Sequence, residues 1–262
     1  MIDKKYLKKN LEYKIVNNKY VFKELSQASA KDDLNNLKSK LKKYSKFYYL
    51  IIKALSPVFE DGSLNQFLSA YKIKNNENNA LVLNVGSGNS KIGKNICNVD
   101  FFAYPNVDIV CDIEELPFND NSVDIILNIA VLEHIPNPQK VIDEIHRVLK
   151  KGGIIYTAFP FMQGYHASPY DFTRVTKEGM KNLHNNFELI EIKPFGGPTS
   201  GMLWVFQEWA ALLLSFGSKK LHMLIQLFLM VITAPLKFLD FFLIKHPRAE
   251  NISSGFIFIG RK

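Results

Sequence analysis

The stretch LVLNVGSGNS, residues 81–90, governs how the rest of the chain is read. Leu81, Val82 and Leu83 lead through Asn84 and Val85 into Gly86-Ser87-Gly88, the pattern of a buried parallel strand that ends in a tight glycine turn. Glycines at such a turn let a ligand approach the backbone. A dinucleotide fingerprint adds a third glycine, a helix, and an acid roughly 20 residues further on. Here Ser87 or Ser90 stands in for the third glycine, and Asp100 follows Gly88 by only twelve residues. That spacing does not hold a helix, a turn and a strand, so the first helix is expected to shrink to a turn over 89–94. Alone, a Gly-x-Gly turn is common and marks no cofactor.

Working outward, strands are expected at 80–85, 95–100, 107–111, 123–128 and 153–159, with a helix at 137–150. Such alternation argues for a parallel sheet wrapped by helices. The polar run NNENN, 75–79, separates this unit from what precedes it. Upstream, LEYKIVNNKYVF (11–22) reads as a hairpin around Asn17-Asn18, residues 31–55 as an amphipathic helix stopping at Ser56-Pro57, and 63–72 as a short helix. Ligands of open α/β sheets sit beyond the carboxyl ends of the strands. Asp100, Asp112 and the run from Asn128 to His134 occupy those ends.

Composition narrows the classes. With 262 residues and 47% hydrophobic content the chain builds a sizeable core and is not disordered. The net charge of +8 is entirely N-terminal: residues 1–60 hold 14 lysines against 6 acids. Such a basic appendage suits RNA, anionic lipid or an acidic substrate, or is simply a solvated helix face. Cys97 and Cys111 lie in apolar runs and read as buried, reduced core residues, which favours the cytosol; neither a disulfide nor a metal site is expected. The start, MIDKKYLKKNLEYK, has no apolar segment behind its lysines and does not read as a secretory signal.

The segments LNVGSGNS, NVD, CDIEELPFNDNSVDIIL, VLEHIPNP and EIHRVLKKGGIIYTAFP, in this order over residues 80–160, resemble the class I S-adenosylmethionine-dependent methyltransferases of the type 11 group. The resemblance implies an α/β fold: a Rossmann-like seven-stranded methyltransferase sheet with helices on both faces. The additions are a basic N-terminal hairpin and helices over 1–74 and an apolar helical insertion over 201–250. The cofactor-binding core spans 80–200, and 253–262 supplies its last strand. S-adenosyl-L-methionine is the implied cofactor, with Gly86, Ser87 and Gly88 against its methionine part, Asp100 on the ribose hydroxyls, and Asp112 with the Ile113 backbone on the adenine amino group. Asn128 joins this set, and Leu116, Pro117 and Phe118 are expected around the ring. Two departures stand out: the family has an acid where this chain has Asn84, and a third glycine and helix after Gly88. They weaken the cofactor site, or mark a scaffold that has lost catalysis.

Methyl transfer to an alcohol needs a base. In the loop within PFMQGYHASPYDFTRVTKEGMKNL (160–183), His166 is the first candidate, and His134 beyond the fourth strand is the second. Asp171 and Arg174 are expected to pin this loop as an ion pair, with Tyr165 and Tyr170 lining the pocket and a helix starting near Thr176.

Strands at 187–195 and 253–262 bracket two apolar stretches, 202–216 and 221–244. About 20 such residues cross a bilayer. A single crossing would strand 254–260 on the far side from its own sheet, so the insertion is expected to lie in the interface, re-enter, or pack on protein as a lid or dimer interface. Lys219, Lys220, Lys237 and Lys245 flank it. The sequence therefore reads as a cytoplasmic methyltransferase, peripheral on the inner face of the membrane, that O-methylates a saccharide or lipid-linked glycan. Two alternatives are a nucleic-acid methyltransferase, suggested by the lysines but lacking an aromatic-interleaved basic surface, and an inactive methyltransferase-like binding protein.

Overall fold

The computed structural model describes residues 3–22, 54–73 and 80–262. The linker at 75–79 lies outside these residues, as does the helix expected over 31–55 except for its last two positions. Strands β1 (Lys14–Val16), β2 (Lys19–Val21), β3 (Val82–Val85), β4 (Ile96–Asp100), β5 (Ile109–Val110), β6 (Val123–Ile129), β7 (Leu149–Pro160), β8 (Glu188–Phe195) and β9 (Gly255–Arg261) form one sheet. Their order is β1-β2-β5-β4-β3-β6-β7-β9-β8. Strands β5, β4, β3, β6 and β7 are parallel, and β9 inserts antiparallel between β7 and β8.

These last seven strands form the expected sheet. The count reaches nine because the N-terminal hairpin extends it: β2 pairs in parallel with β5 through Tyr20↔Ile109 and Val21↔Val110. Asn17 and Asn18 supply the turn, both left-handed at φ 49° and 63°, as a two-residue hairpin turn with matching twist requires.

Helices α1 (Ser63–Ala70), α2 (Pro138–Val148) and α3 (Lys177–Leu183) cover the two faces. Successive residues of β6 serve opposite layers, as the period of a strand dictates. Ile126 packs in the layer of Ile142, Ile145 and Met180 from α2 and α3, while Ile125 and Leu127 pack in the layer of Phe67 and Leu68 from α1. Helix α2 starts where the chain signals it, with the Asn137 side chain accepting from Lys140 N and Pro138 in the first turn.

The β3–β4 connection, 86–95, contains no helix. An amide network fills its place. Asn84 Nδ2 donates to Ser90 Oγ (3.2 Å) and Asn98 Oδ1 (3.1 Å), and Asn98 Nδ2 donates to Asn106 O (2.9 Å). The backbone N–H of Asn98 reaches Asp108 Oδ2 at 2.8 Å. A carboxylate at position 84 would set oxygen against oxygen at Asn98. The asparagine is therefore the side chain that this helix-free connection needs.

The insertion is a helical hairpin, α4 (Gly197–Leu214) and α5 (Lys219–Thr233), continued by a 3-10 turn (Ala234–Leu239) and α6 (Asp240–Leu243). Its exit is tied to its entrance. The buried carboxylate of Asp240 accepts from Thr199 N, Ser200 N and Ser200 Oγ, each at 2.7 Å, satisfying N–H groups of the first turn of α4. The chain then returns to the sheet as β9.

Candidate functional site

The carboxyl ends of β3, β4, β5 and β6 bring the sequence-predicted cofactor residues to one edge. Gly86 has φ 74°, and a Cβ there would lie 2.4 Å from both methyl groups of Val131, so only glycine fits. Gly88, at φ 55°, differs: a Cβ would meet open space, which leaves its backbone free for a ligand to approach. Asp100 is buried, with Oδ2 accepting from Gly88 N (2.7 Å) and Oδ1 from Phe102 N (2.9 Å). Burial pushes its pKa above the ordinary carboxylate value, and these N–H groups work against that shift. Each oxygen retains acceptor capacity for a ribose hydroxyl.

Asp112 is exposed, and its Oδ1 accepts from Glu114 N (2.9 Å), capping a turn at the end of β5. Ile113 beside it is buried. Asn128 is fully buried; its Nδ2 donates to Val85 O (3.2 Å), while Oδ1 has no hydrogen-bond partner. An orphaned acceptor next to the glycine turn, an open backbone at Gly88 and a buried carboxylate all await donors. S-adenosylmethionine offers an ammonium group and a ribose diol, so this residue set fits it. Leu116 and Phe118 are a correction: both are completely buried in the layer beneath α2 and α3, so they support the site from within the core. Asn84 is engaged in the amide network and adds no contact of its own.

A second cluster lies beyond β6 and β7. Glu133 and His134 share a 3-10 turn after β6, and His166 comes from the loop after β7. The Glu133 carboxylate is 0% exposed, and among the described residues neither oxygen has a hydrogen-bond partner. Its Oε1 is 3.8 Å from His134 Nε2 and 3.7 Å from His166 Nε2. Both rings are fixed from behind: His134 Nδ1 lies 2.6 Å from Tyr170 O, and His166 Nδ1 lies 2.9 Å from Gly164 O. Tyr170 O only accepts, which places a proton on His134 Nδ1, whereas His166 Nδ1 lies between Gly164 O and the donating Arg174 Nη2 at 3.1 Å; Nε2 of each ring faces Glu133. The nearby carboxylate holds the His166 pKa above its ordinary value, with burial opposing it.

The expected ion pair pins this loop. Arg174 grips Asp171 with both terminal nitrogens and donates to Gly164 O at 2.9 Å. It holds the Asp171 pKa at about 2. The ring of His166 stacks on Trp204 of α4 at 5.8 Å. Tyr165 and Tyr170 are a second correction, since both point to solvent, at 77% and 63% exposure.

A cleft of about 410 Å³ opens beside this cluster. Its walls are mostly apolar, including Phe59, Leu64, Ile129, Ala130 and Tyr156, with polar atoms from Ser63, Gln163 and Glu133. Glu133 lines it; the two histidines do not. Sequence reading chose the histidines and passed over Glu133. The available signal was an acid directly after the apolar run Ile129-Ala130-Val131-Leu132, at the end of a strand.

Residues 83–157 match the family described as a methyltransferase domain. A sterol 4-C-methyltransferase of Caenorhabditis elegans is 35% identical over 79 residues, 29% of this chain and 21% of that protein. An uncharacterized protein of Methanocaldococcus jannaschii is 49% identical over 47 residues, 18% of this chain and 23% of that one. A solved 1,6-didemethyltoxoflavin-N1-methyltransferase of Burkholderia thailandensis is 14% identical, covers 87% of each chain and has a TM-score of 0.48. The matched segment spans less than a quarter of the length of these curated relatives. Residues 83–157, which carry most of β3 through β7, thus match the methyltransferase domain family that the motifs resemble.

Proposed function

We propose that the protein is an S-adenosylmethionine-dependent methyltransferase that works on the cytoplasmic face of a membrane, O-methylating a saccharide or lipid-linked glycan. The observation that carries this reading is the polarity of the α4–α5 hairpin, which is apolar outside and polar along its seam. Trp209, Leu212 and Leu213 of α4 and Phe228, Val231 and Ile232 of α5 are each more than half exposed. The run Lys219–Leu243 is long and apolar enough to enter a bilayer, with mean hydropathy 1.7, and Lys219, Lys220 and Lys245 border it. Both ends of the hairpin are fixed to the sheet domain, which favours insertion into one leaflet over a crossing.

The hairpin also adjoins the cleft. Ser200 Oγ of α4 accepts from Phe59 N (2.9 Å), and the Phe59 ring meets Phe238 edge-on at 6.3 Å. Apolar walls with a polar end suit an acceptor that has a hydroxyl-bearing head and an apolar tail. When bound, S-adenosylmethionine supplies a sulfonium methyl group. The backbone at Gly86, Ser87 and Gly88 cradles its methionine part and Asp100 and Asp112 with Ile113 orient the nucleoside, while the buried Asn128 supports the glycine turn from beneath through Val85 O. The cluster of Glu133, His134 and His166 activates the acceptor hydroxyl, with His166 as base and Glu133 as its carboxylate partner. Positioning supplies much of the rest of the rate.

Calorimetric titration with S-adenosylhomocysteine, paired with co-sedimentation on anionic liposomes, tests this reading. One-to-one cofactor-product binding and salt-resistant sedimentation are expected. Protein that ignores liposomes at low salt would turn the hairpin into a lid or dimer interface, and absence of S-adenosylhomocysteine binding would leave an inactive scaffold.

A further inference from the structure

We propose that Glu133, His134 and His166 form a binding site for one divalent first-row cation of the zinc class. The three groups offer one donor atom each, all within 4.8 Å of one another. Two features go beyond proximity. The Glu133 carboxylate is completely buried and, among the described residues, no hydrogen-bond donor reaches either oxygen, a costly state for a charged group unless a cation or proton answers it. Each histidine, moreover, uses Nδ1 on a backbone carbonyl, Tyr170 O or Gly164 O, and turns Nε2 inward. That is how metal-binding imidazoles are oriented from behind. The Glu133 carboxylate and two inward-facing Nε2 atoms therefore converge on one point.

Two imidazoles and one carboxylate match the ligand set of open, catalytic zinc sites, and the same set suits Mn²⁺, Fe²⁺ and Co²⁺. Glu133 borders the cleft, so the cluster lies beside the acceptor space. The function of the cation, though not its binding, rests on the methyltransferase reading. There, an acceptor hydroxyl oxygen coordinates the cation and loses its proton to water. The oxygen then forms the new C–O bond as the S–CH3 bond breaks, its electron pair staying on sulfur. With the cation bound His166 serves as its ligand; in the cation-free reading above it is the base.

The test uses full-length protein in detergent, stripped with a chelator and dialysed. Co²⁺ is added while visible d–d absorption is followed, and bound Zn²⁺ is counted in a parallel sample. One equivalent with intense bands is expected for wild type, weakened by about 10²-fold or more in His166→Ala and Glu133→Gln, and unchanged in His246→Ala as a control. Calorimetry with S-adenosylhomocysteine on the stripped protein reports the fold and the methyltransferase reading separately. Protein that binds S-adenosylhomocysteine but takes up no Co²⁺ or Zn²⁺, or whose His166→Ala variant binds Co²⁺ like wild type, overturns the cation site. Cation uptake without S-adenosylhomocysteine binding overturns the enzyme reading alone. If Glu133→Gln does not fold, His166→Ala on its loop decides.

Discussion

The sheet domain and the helical hairpin bury opposite kinds of side chain. Between the sheet and α2 lie Leu83, Ile126, Ile142 and Phe159, all fully buried and apolar. Between α4 and α5 lies a polar seam: Gln207 Nε2 donates to Thr233 Oγ1 at 2.7 Å, and Glu208 meets both His222 and Gln226 at 3.1 Å. Most of the hairpin's large apolar side chains face outward, with Leu203 and Leu229 buried. Water drives the first arrangement and opposes the second, because exposed apolar area of this extent is unfavourable in a soluble monomer. In lipid the reverse holds, since helices there associate through packing and polar contacts and not through the hydrophobic effect. On the proposed reading, one chain is built for two solvents.

The largest expected effect comes from truncating the same residue type in each region. Phe258, at 1% exposure, stacks on His184 with ring centroids 4.2 Å apart, and Phe258→Ala should cost about 3–5 kcal/mol in urea unfolding. Phe228 is 63% exposed, and Phe228→Ala should change fold stability by about 0.5 kcal/mol or less. Its effect belongs to liposome affinity, where loss of one inserted phenyl ring lowers binding by roughly 10–100-fold. Equal destabilisation by the two substitutions would show that the hairpin face is covered by protein, and the contrast would fail.

The second effect exploits how dry the sheet layer is. His184 is buried between Met180 O (2.9 Å) and Thr157 Oγ1 (3.0 Å), and burial pushes its pKa down to about 4. The folded ring is neutral between that value and the ordinary 6.5, while the unfolded chain takes up a proton. Stability therefore falls as pH drops through this window, by about 2 kcal/mol at about pH 5 and about 3 kcal/mol by about pH 4. His184→Gln removes the titration and should flatten this part of the profile in urea unfolding. An unchanged slope would mean that the ring is hydrated.

What the chain made legible divides along the same line. Strands such as 82–85 and 123–129 are visible because an apolar run bounded by turn residues has few other solutions. The helix-free connection after Gly88 was also visible, from spacing alone. The pairing of β2 with β5 was not, because parallel contacts between distant segments leave no local pattern. Asn84 reads as a defect until Asn98 and Ser90 appear beside it. Glu133 reads as an ordinary turn acid, since its burial depends on a loop more than 25 residues further along the chain. The hairpin's apolar content was plain, but composition does not say which face holds Gln207 and Thr233.

A third, smaller effect concerns the cofactor edge, where polar groups are buried for function and not for lipid. Asp100 orders the glycine turn through Gly88 N and, in the proposed complex, also accepts from the ribose. Asp100→Ala should weaken S-adenosylhomocysteine binding by about 1–3 kcal/mol in calorimetry. Asp100→Asn keeps one acceptor and should fall between. Wild-type affinity in both variants would remove Asp100 from the site.

The smallest effect lies in the seam. Gln207→Leu deletes the hydrogen bond to Thr233 Oγ1, yet the threonine hydroxyl still donates to Leu229 O at 2.7 Å, so no buried donor is orphaned. Removing a bond without stranding its partner is the mild case. In a bilayer such interhelical bonds average about 0.6 kcal/mol, because the alternative state also finds partners. Gln207→Leu in lipid nanodiscs should therefore shift the unfolding midpoint by no more than about 2 °C. The leucine adds apolar surface that would stabilise a water-packed seam and gives nothing to a hairpin packed as the proposed membrane contact requires. A loss above about 2 kcal/mol would mark the seam as a tightly desolvated core of the soluble kind. A gain of similar size in detergent-free buffer would show a hairpin packed for water. Either result would erase the opposition between the two regions, whereas a near-neutral outcome leaves the outward apolar face as the part of the hairpin that matters.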